Sequence, residues 1–82
     1  MSDRVDILVP EFGHGLTDAL VVEWLVSVGD TVARGDVVAV LETDKSSVDL
    51  LAEKPGTIAE IVVAARSITT SGAVLYKLDE RE

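Results

Sequence analysis

Three observations predict an all-β fold. The 48% apolar content is mainly valine, leucine, alanine and isoleucine, with only Phe12, Trp24 and Tyr76 aromatic. β-Branched side chains are stiff at χ1 and suit a pleated surface. Strand-like runs recur at short spacing between turn residues. A weak repeat also runs through the chain. At an offset of 37 residues, Glu23 matches Glu60, Val26 matches Val63, Gly35 matches Gly72, Val37 matches Val74 and Leu41 matches Leu78. Such a repeat implies two similar halves packed face to face about a pseudo-two-fold axis.

The elements follow in order. Val5 to Val9 reads as the first strand, stopped by Pro10, and the glycine-bearing loop Phe12-Gly13-His14-Gly15 follows. Ala19 to Val28, interrupted by Glu23, is long enough for a helix, but its β-branched content and the following Gly29-Asp30 favour a bent strand. Thr31-Val32 is a short strand before the turn Arg34-Gly35-Asp36. Val37 to Glu42 is nearly continuously apolar, as where both faces are covered. Thr43 to Ser46 is a turn. From Ser47 to Leu51, Val48 and Leu50 share one face, and Ser47 and Asp49 the other. Lys54-Pro55-Gly56 turns the chain into Thr57 to Val63. Val74 to Leu78 is the last run, giving seven or eight strands. Residues 1–82 are read as one domain with an ordered core of about 5–79, and Met1–Arg4 and Asp79–Glu82 as frayed ends.

Composition removes several function classes. An 82-residue chain makes a thin core and no deep catalytic pocket. There is no cysteine and one histidine, His14, so disulfides, thiolate chemistry and a histidine-built zinc site are not expected. Fifteen acids against seven Lys+Arg give a net charge of −8. That field disfavours nucleic acid and anionic membrane surfaces as partners. No signal peptide or bilayer-length apolar run is seen, so a reducing compartment is expected. Gly29-Asp30 and Gly35-Asp36 lack the acidic density of a calcium loop. Trp24 reads as core packing.

The segment Glu42-Thr43-Asp44-Lys45-Ser46 places one lysine at the tip of a hairpin between apolar strands. A rigid scaffold there would hold a long, reactive side chain. Asp44 is expected to fix the turn by accepting backbone N–H groups, around a type I core slightly longer than two residues. A solubilising lysine in a polar turn satisfies the same pattern.

From about Ile7 to Leu78 the chain resembles the lipoyl domains of 2-oxo acid dehydrogenase acyltransferases. The family's modification motif, Glu-Thr-Asp-Lys-Ala/Ser, stands as Glu42-Thr43-Asp44-Lys45-Ser46. Its Gly-x-Gly loop stands as Gly13-His14-Gly15, its Glu-Trp as Glu23-Trp24, and its Val-x-x-Gly-Asp-x-Val as Val26 to Val32. Gly56 to Ile61 matches the segment after the lysine hairpin. The resemblance implies a flattened β-barrel sandwich of two four-stranded antiparallel sheets. It also implies a monomeric, non-catalytic carrier. Lipoic acid would be held as an amide on Lys45, attached by a lipoate ligase or octanoyltransferase. A thiamine-dependent 2-oxo acid decarboxylase would load the arm, an acyltransferase catalytic domain would unload it, and a dihydrolipoamide dehydrogenase would reoxidise it. Bacterial cytoplasm or mitochondrial matrix would suit that role. Glu42, Thr43, Asp44, Ser46, Gly13, His14 and Gly15 would be read by modifying and partner enzymes.

The sequence departs from the family at three places. His14 replaces a common acid, and Ala19 a frequent glycine. Arg66-Ser67 stands where a second Gly-Asp/Glu pair is usual, followed by Thr69 in place of valine. A different backbone is expected at Arg66, because glycine alone takes positive φ without cost. Four alternatives share the pattern in part. A free-standing lipoyl carrier of a dedicated biosynthetic pathway suits the natural-looking start and the absence of a linker. An unmodified β-sandwich binding module is also consistent. A biotinyl carrier fits worse, since its lysine sits between methionines and the only one here is Met1. A glycine-cleavage-type carrier is longer, with a different lysine context.

Overall fold

A computed structural model describes residues 3–11, 18–44 and 46–80. It contains eight strands: β1 (Asp3–Leu8), β2 (Asp18–Trp24), β3 (Thr31–Val32), β4 (Val37–Glu42), β5 (Ser47–Leu51), β6 (Gly56–Ile61), β7 (Ile68–Thr70) and β8 (Val74–Glu80). They form two antiparallel four-stranded sheets, β1-β8-β6-β3 and β5-β4-β2-β7. The predicted sandwich is therefore the observed one.

The pseudo-two-fold relation extends to individual hydrogen bonds. Gly29 N–H donates to Ile58 O and Ile58 N–H to Asp30 O, both at 2.8 Å. At the same 37-residue offset, Arg66 N–H donates to Val21 O at 2.6 Å and Val21 N–H to Ser67 O at 2.9 Å. The ladder irregularity between Val21 and Glu23 recurs between Ile58 and Glu60. The core repeats as well: Val21 and Ile58, Val38 and Leu75, Ala39 and Tyr76, and Leu41 and Leu78 are all buried. Each half supplies one sheet's central strands and lends a short third strand to the other sheet. Neither half could cover its apolar face alone, so the halves stabilise each other by mutual burial.

Several boundaries differ from the sequence reading. β2 ends at Trp24 rather than Val28. The chain must cross to the opposite sheet there, and the Asp30 carboxylate fixes the crossing by accepting Ser27 N–H at 2.8 Å. β6 likewise stops at Ile61. The eighth strand, β7, is the counterpart of β3 under the repeat. It lacks the valine expected of a strand and carries the buried Thr69 instead. Of the predicted frayed ends, the described part is paired: Arg4 meets Asp79 across β1 and β8, with Nε to Oδ1 at 2.9 Å. The expectation of a different backbone at Arg66 is also corrected. Arg66 adopts φ 73°, in the same left-handed region as its counterpart Gly29 at 98°. The crossing requires this geometry in both halves, whichever residue occupies it. Trp24 packs against the core as expected, half-buried: its Nε1–H donates to Val63 O at 2.8 Å and its ring meets the buried Tyr76 edge-on at 5.9 Å.

Candidate functional site

The candidate site is the hairpin joining β4 to β5. Both strands earn their place by burying Val38, Ala39, Leu41 and Leu50. The predicted alternation along β5 holds, with Leu50 buried and Ser47 and Asp49 exposed. Glu42 and Ser47 form the last cross-strand pair before the turn. Thr43 N–H then donates to Ser46 O at 2.8 Å. The Thr43 hydroxyl donates to the same carbonyl at 3.1 Å and lies 3.3 Å from Ser46 N–H, which donates back to it.

Among the described residues, then, the side chain pinning this turn is Thr43, where Asp44 was expected. A threonine hydroxyl can donate and accept at once, and here it does both. Aspartates play the expected role elsewhere: Asp36 accepts Ala33 N–H at 2.8 Å, as Asp30 does for Ser27. The clamp encloses Asp44 and position 45 in sequence. Asp44, Ser46 and Glu42 are exposed, and Thr43 is half-buried. Lys45, Gly13, His14 and Gly15 lie outside the described residues.

The surroundings are open rather than enclosed. An open groove of about 570 Å³ lies beside β1, lined in part by Val5, Ile7, Glu53 and Lys54. It shares no lining residue with the hairpin, whereas a second open groove of about 750 Å³ runs along β5 from Val48 to Leu51. A group attached at the hairpin would meet exposed neighbours at Asp44 and Ser46. That fits a tethered arm and not a group sequestered in the fold.

Two residues beside the hairpin belong to no motif, and only the strand register reveals them. Leu20 pairs with Glu42 on one side and with Ile68 on the other. Directly opposed residues share a face of a sheet. Ile68, Leu20, Glu42 and Ser47 therefore form one row across the outer face, ending at the hairpin.

The family model Biotin_lipoyl, described as biotin-requiring enzyme, matches residues 5–78. The chain belongs to the biotin/lipoyl attachment domain family. It is similar to the dihydrolipoyllysine-residue acetyltransferase component of the pyruvate dehydrogenase complex of Staphylococcus aureus, at 34% identity over 71 residues. The Staphylococcus epidermidis protein of the same description is 32% identical over 71 residues. Each match covers 87% of this chain and 16% of the relative, so the chain spans about a sixth of the length of those relatives. Among solved structures, the lipoyl domain of the 2-oxoglutarate dehydrogenase complex from Azotobacter vinelandii superposes with a TM-score of 0.78 at 37% identity. That match covers 95% of this chain and 99% of the other. The chain is thus a lipoyl domain, homologous to those of 2-oxo acid dehydrogenase acyltransferases. A lipoyl domain is itself non-catalytic.

Proposed function

We propose that this lipoyl domain carries lipoic acid as an amide on Lys45 and works as a swinging-arm acyl carrier. The observation that carries the reading is the placement of Glu42, Thr43, Asp44 and Ser46, which flank Lys45 in sequence. They fall on the hairpin between β4 and β5, closed by the Thr43–Ser46 clamp, in a fold superposable on a lipoyl domain. Lys45 would hold the lipoyl group. When bound, the group supplies the dithiolane that takes up an acyl unit as a thioester and is later reoxidised. The chain's own contribution is mechanical. The two buried strands fix the hairpin base, the clamp narrows the turn, and Asp44 and Ser46 on either side of Lys45 are exposed. Tethering raises the effective concentration of the acyl unit at successive active sites.

The partners follow from that role. They are a thiamine-dependent 2-oxo acid decarboxylase, an acyltransferase catalytic domain, a dihydrolipoamide dehydrogenase, and a lipoate ligase or octanoyltransferase. Glu42, Thr43, Asp44 and Ser46, with Gly13, His14 and Gly15, are proposed as the residues those enzymes read. Residues 1–82 are proposed as a single domain, acting in the cytoplasm, as the bacterial origin of its relatives suggests.

The test is acyl transfer to the loaded domain. The lipoylated protein is incubated with a thiamine-dependent decarboxylase and a panel of 2-oxo acids, and its intact mass is read. One acyl unit gained with one member of the panel supports the carrier role. A lipoylated, folded domain that gains no acyl unit with any 2-oxo acid of the panel, while the same decarboxylase acylates another lipoyl domain, contradicts it.

A further inference from the structure

The pseudo-two-fold axis provides an internal control for the surface beside the hairpin. The row Ile68–Leu20–Glu42–Ser47 has a structural counterpart on the other sheet, the row Thr31–Thr57–Asp79–Arg4. The same four positions of the fold are thus filled twice, with different chemistry. Away from the hairpin the row is polar and electrically closed: two threonines, then Asp79 paired with Arg4. Arg4 holds the Asp79 carboxyl below the usual carboxylate range, by their hydrogen bond first. Beside the hairpin the threonines become Leu20 and Ile68, and the acid, Glu42, faces Ser47 instead of an arginine. Ile68 is 67% exposed, the most exposed large apolar side chain among the described residues.

The fold needs neither apolar residue at these positions, since threonines serve in the equivalent places. Strand acids occur in both sheets, but strand cations occur in only one. β5, β4, β2 and β7 contain no lysine or arginine, whereas the other sheet's strands contain Arg4 and Lys77. Glu23 pairs with Val40, and Val40 with Asp49, so the next row adds two more acids to this face. An exposed Ile68 beside a half-buried Leu20, with an acidic surround, fits a partner surface that offers an apolar side chain among cations.

Resting on the lipoyl-carrier reading, we infer that the outer face of this sheet, centred on Leu20 and Ile68, docks the enzyme that attaches the lipoyl group to Lys45. The geometry favours that occupant. An attaching enzyme must reach the lysine amine itself, so its surface has to cover the hairpin base. Ile68 stands two strands from Glu42, roughly 10 Å away at normal strand spacing. A standard interface of about 800 Å² per partner has a radius of roughly 16 Å, so one leaning over this sheet includes both apolar residues. In the attachment, the Lys45 amine displaces AMP from the lipoyl adenylate that the enzyme makes from lipoate and ATP. Pyrophosphate leaves in the first step, and a proton in the second.

The experiment measures lipoylation kinetics by intact mass, using a lipoate ligase, lipoate and ATP. It compares the native domain with Ile68→Thr, with Leu20→Thr/Ile68→Thr, and with Leu8→Thr. Leu8 is 51% exposed on the other sheet and serves as the control. The double variant should raise KM at least about tenfold with kcat unchanged, and the single variant by less. Added salt should raise the native KM, because the acidic surround is screened. Leu8→Thr should match the native domain. Equal KM for all variants overturns the inference while leaving the carrier reading intact. No lipoylation of the native domain by a ligase active on another lipoyl domain refutes both. A native dimer that the double variant abolishes in sedimentation would assign the face to a second copy and also overturn the inference. The single variant, one exposed side chain, keeps the test open if the double variant is unstable.

Discussion

Arg66 offers a sharp test of how the fold distributes strain. It is an exposed residue at φ 73°, and its pseudo-symmetric counterpart Gly29 has φ 98°. A non-glycine residue in the left-handed region costs about 1–2 kcal/mol. Replacing it with glycine relieves that cost but gives the unfolded chain back about 0.4–1 kcal/mol of backbone freedom. The net expectation for Arg66→Gly is a gain of about 0.5–1 kcal/mol, or a Tm rise of about 2–8 °C for a domain this small. Gly29→Ala is the mirror experiment. A Cβ at Gly29 would meet nothing within 4 Å, so the change isolates the backbone cost. With the same two terms reversed, it should lose about 0.5–1 kcal/mol, a Tm fall of about 2–8 °C. Thermal unfolding followed by the fluorescence of Trp24, the single tryptophan, reports both. A fall in Tm for Arg66→Gly, or no change for Gly29→Ala, would refute the reasoning. It would mean that side-chain contacts, and not φ, govern these crossings.

Further outcomes follow from the core and the charge pairs. Gly56→Ala would drive a Cβ into the backbone carbonyl of Asp79 and to 3.0 Å from Leu78 Cγ. It should cost about 2–3 kcal/mol, seen as a lowered urea midpoint with m unchanged. Burial raises the phenol of Tyr76, the only tyrosine, above its ordinary value of 10.0. The unfolded chain therefore ionises first, and stability should fall as pH rises through about 10. Ultraviolet titration should place phenolate formation above that of free tyrosine. The depressed Asp79 carboxyl works in the opposite direction. Its stabilisation is present above the ordinary carboxylate range and lost as pH falls through its folded value. Arg4→Ala should remove that acid-side dependence, with an effect small and salt-sensitive because the pair is exposed.

The sequence carried the strand pattern because β-branched runs and turn residues alternate so regularly. It carried the symmetry because core positions such as Leu41 and Leu78 kept their identity in both halves. β7 was harder to read because Thr69, a polar residue, fills a buried strand position. The backbone at Arg66 was misread from residue type. Its conformation is set by the crossing between sheets, a tertiary demand that local propensity does not express. At the site, the motif around Lys45 was legible as a linear string. The Thr43 clamp was hidden because any of the polar turn residues could have made those hydrogen bonds. The row joining Ile68 to Glu42 was invisible for a plainer reason: its members come from strands far apart in sequence, and only register brings them to one face.

The most direct test of the central claim is the intact mass of the native domain after incubation with lipoate, ATP and a lipoate ligase, followed by peptide mapping. The account predicts a single lipoyl addition confined to Lys45. Lys45→Ala should take up none while unfolding within about 0.5 kcal/mol of the native domain, as an isolated turn substitution would. Lys54→Ala and Lys77→Ala should load like the native chain. Addition at another lysine, or none to a folded domain with a ligase active on another lipoyl domain, would contradict the account.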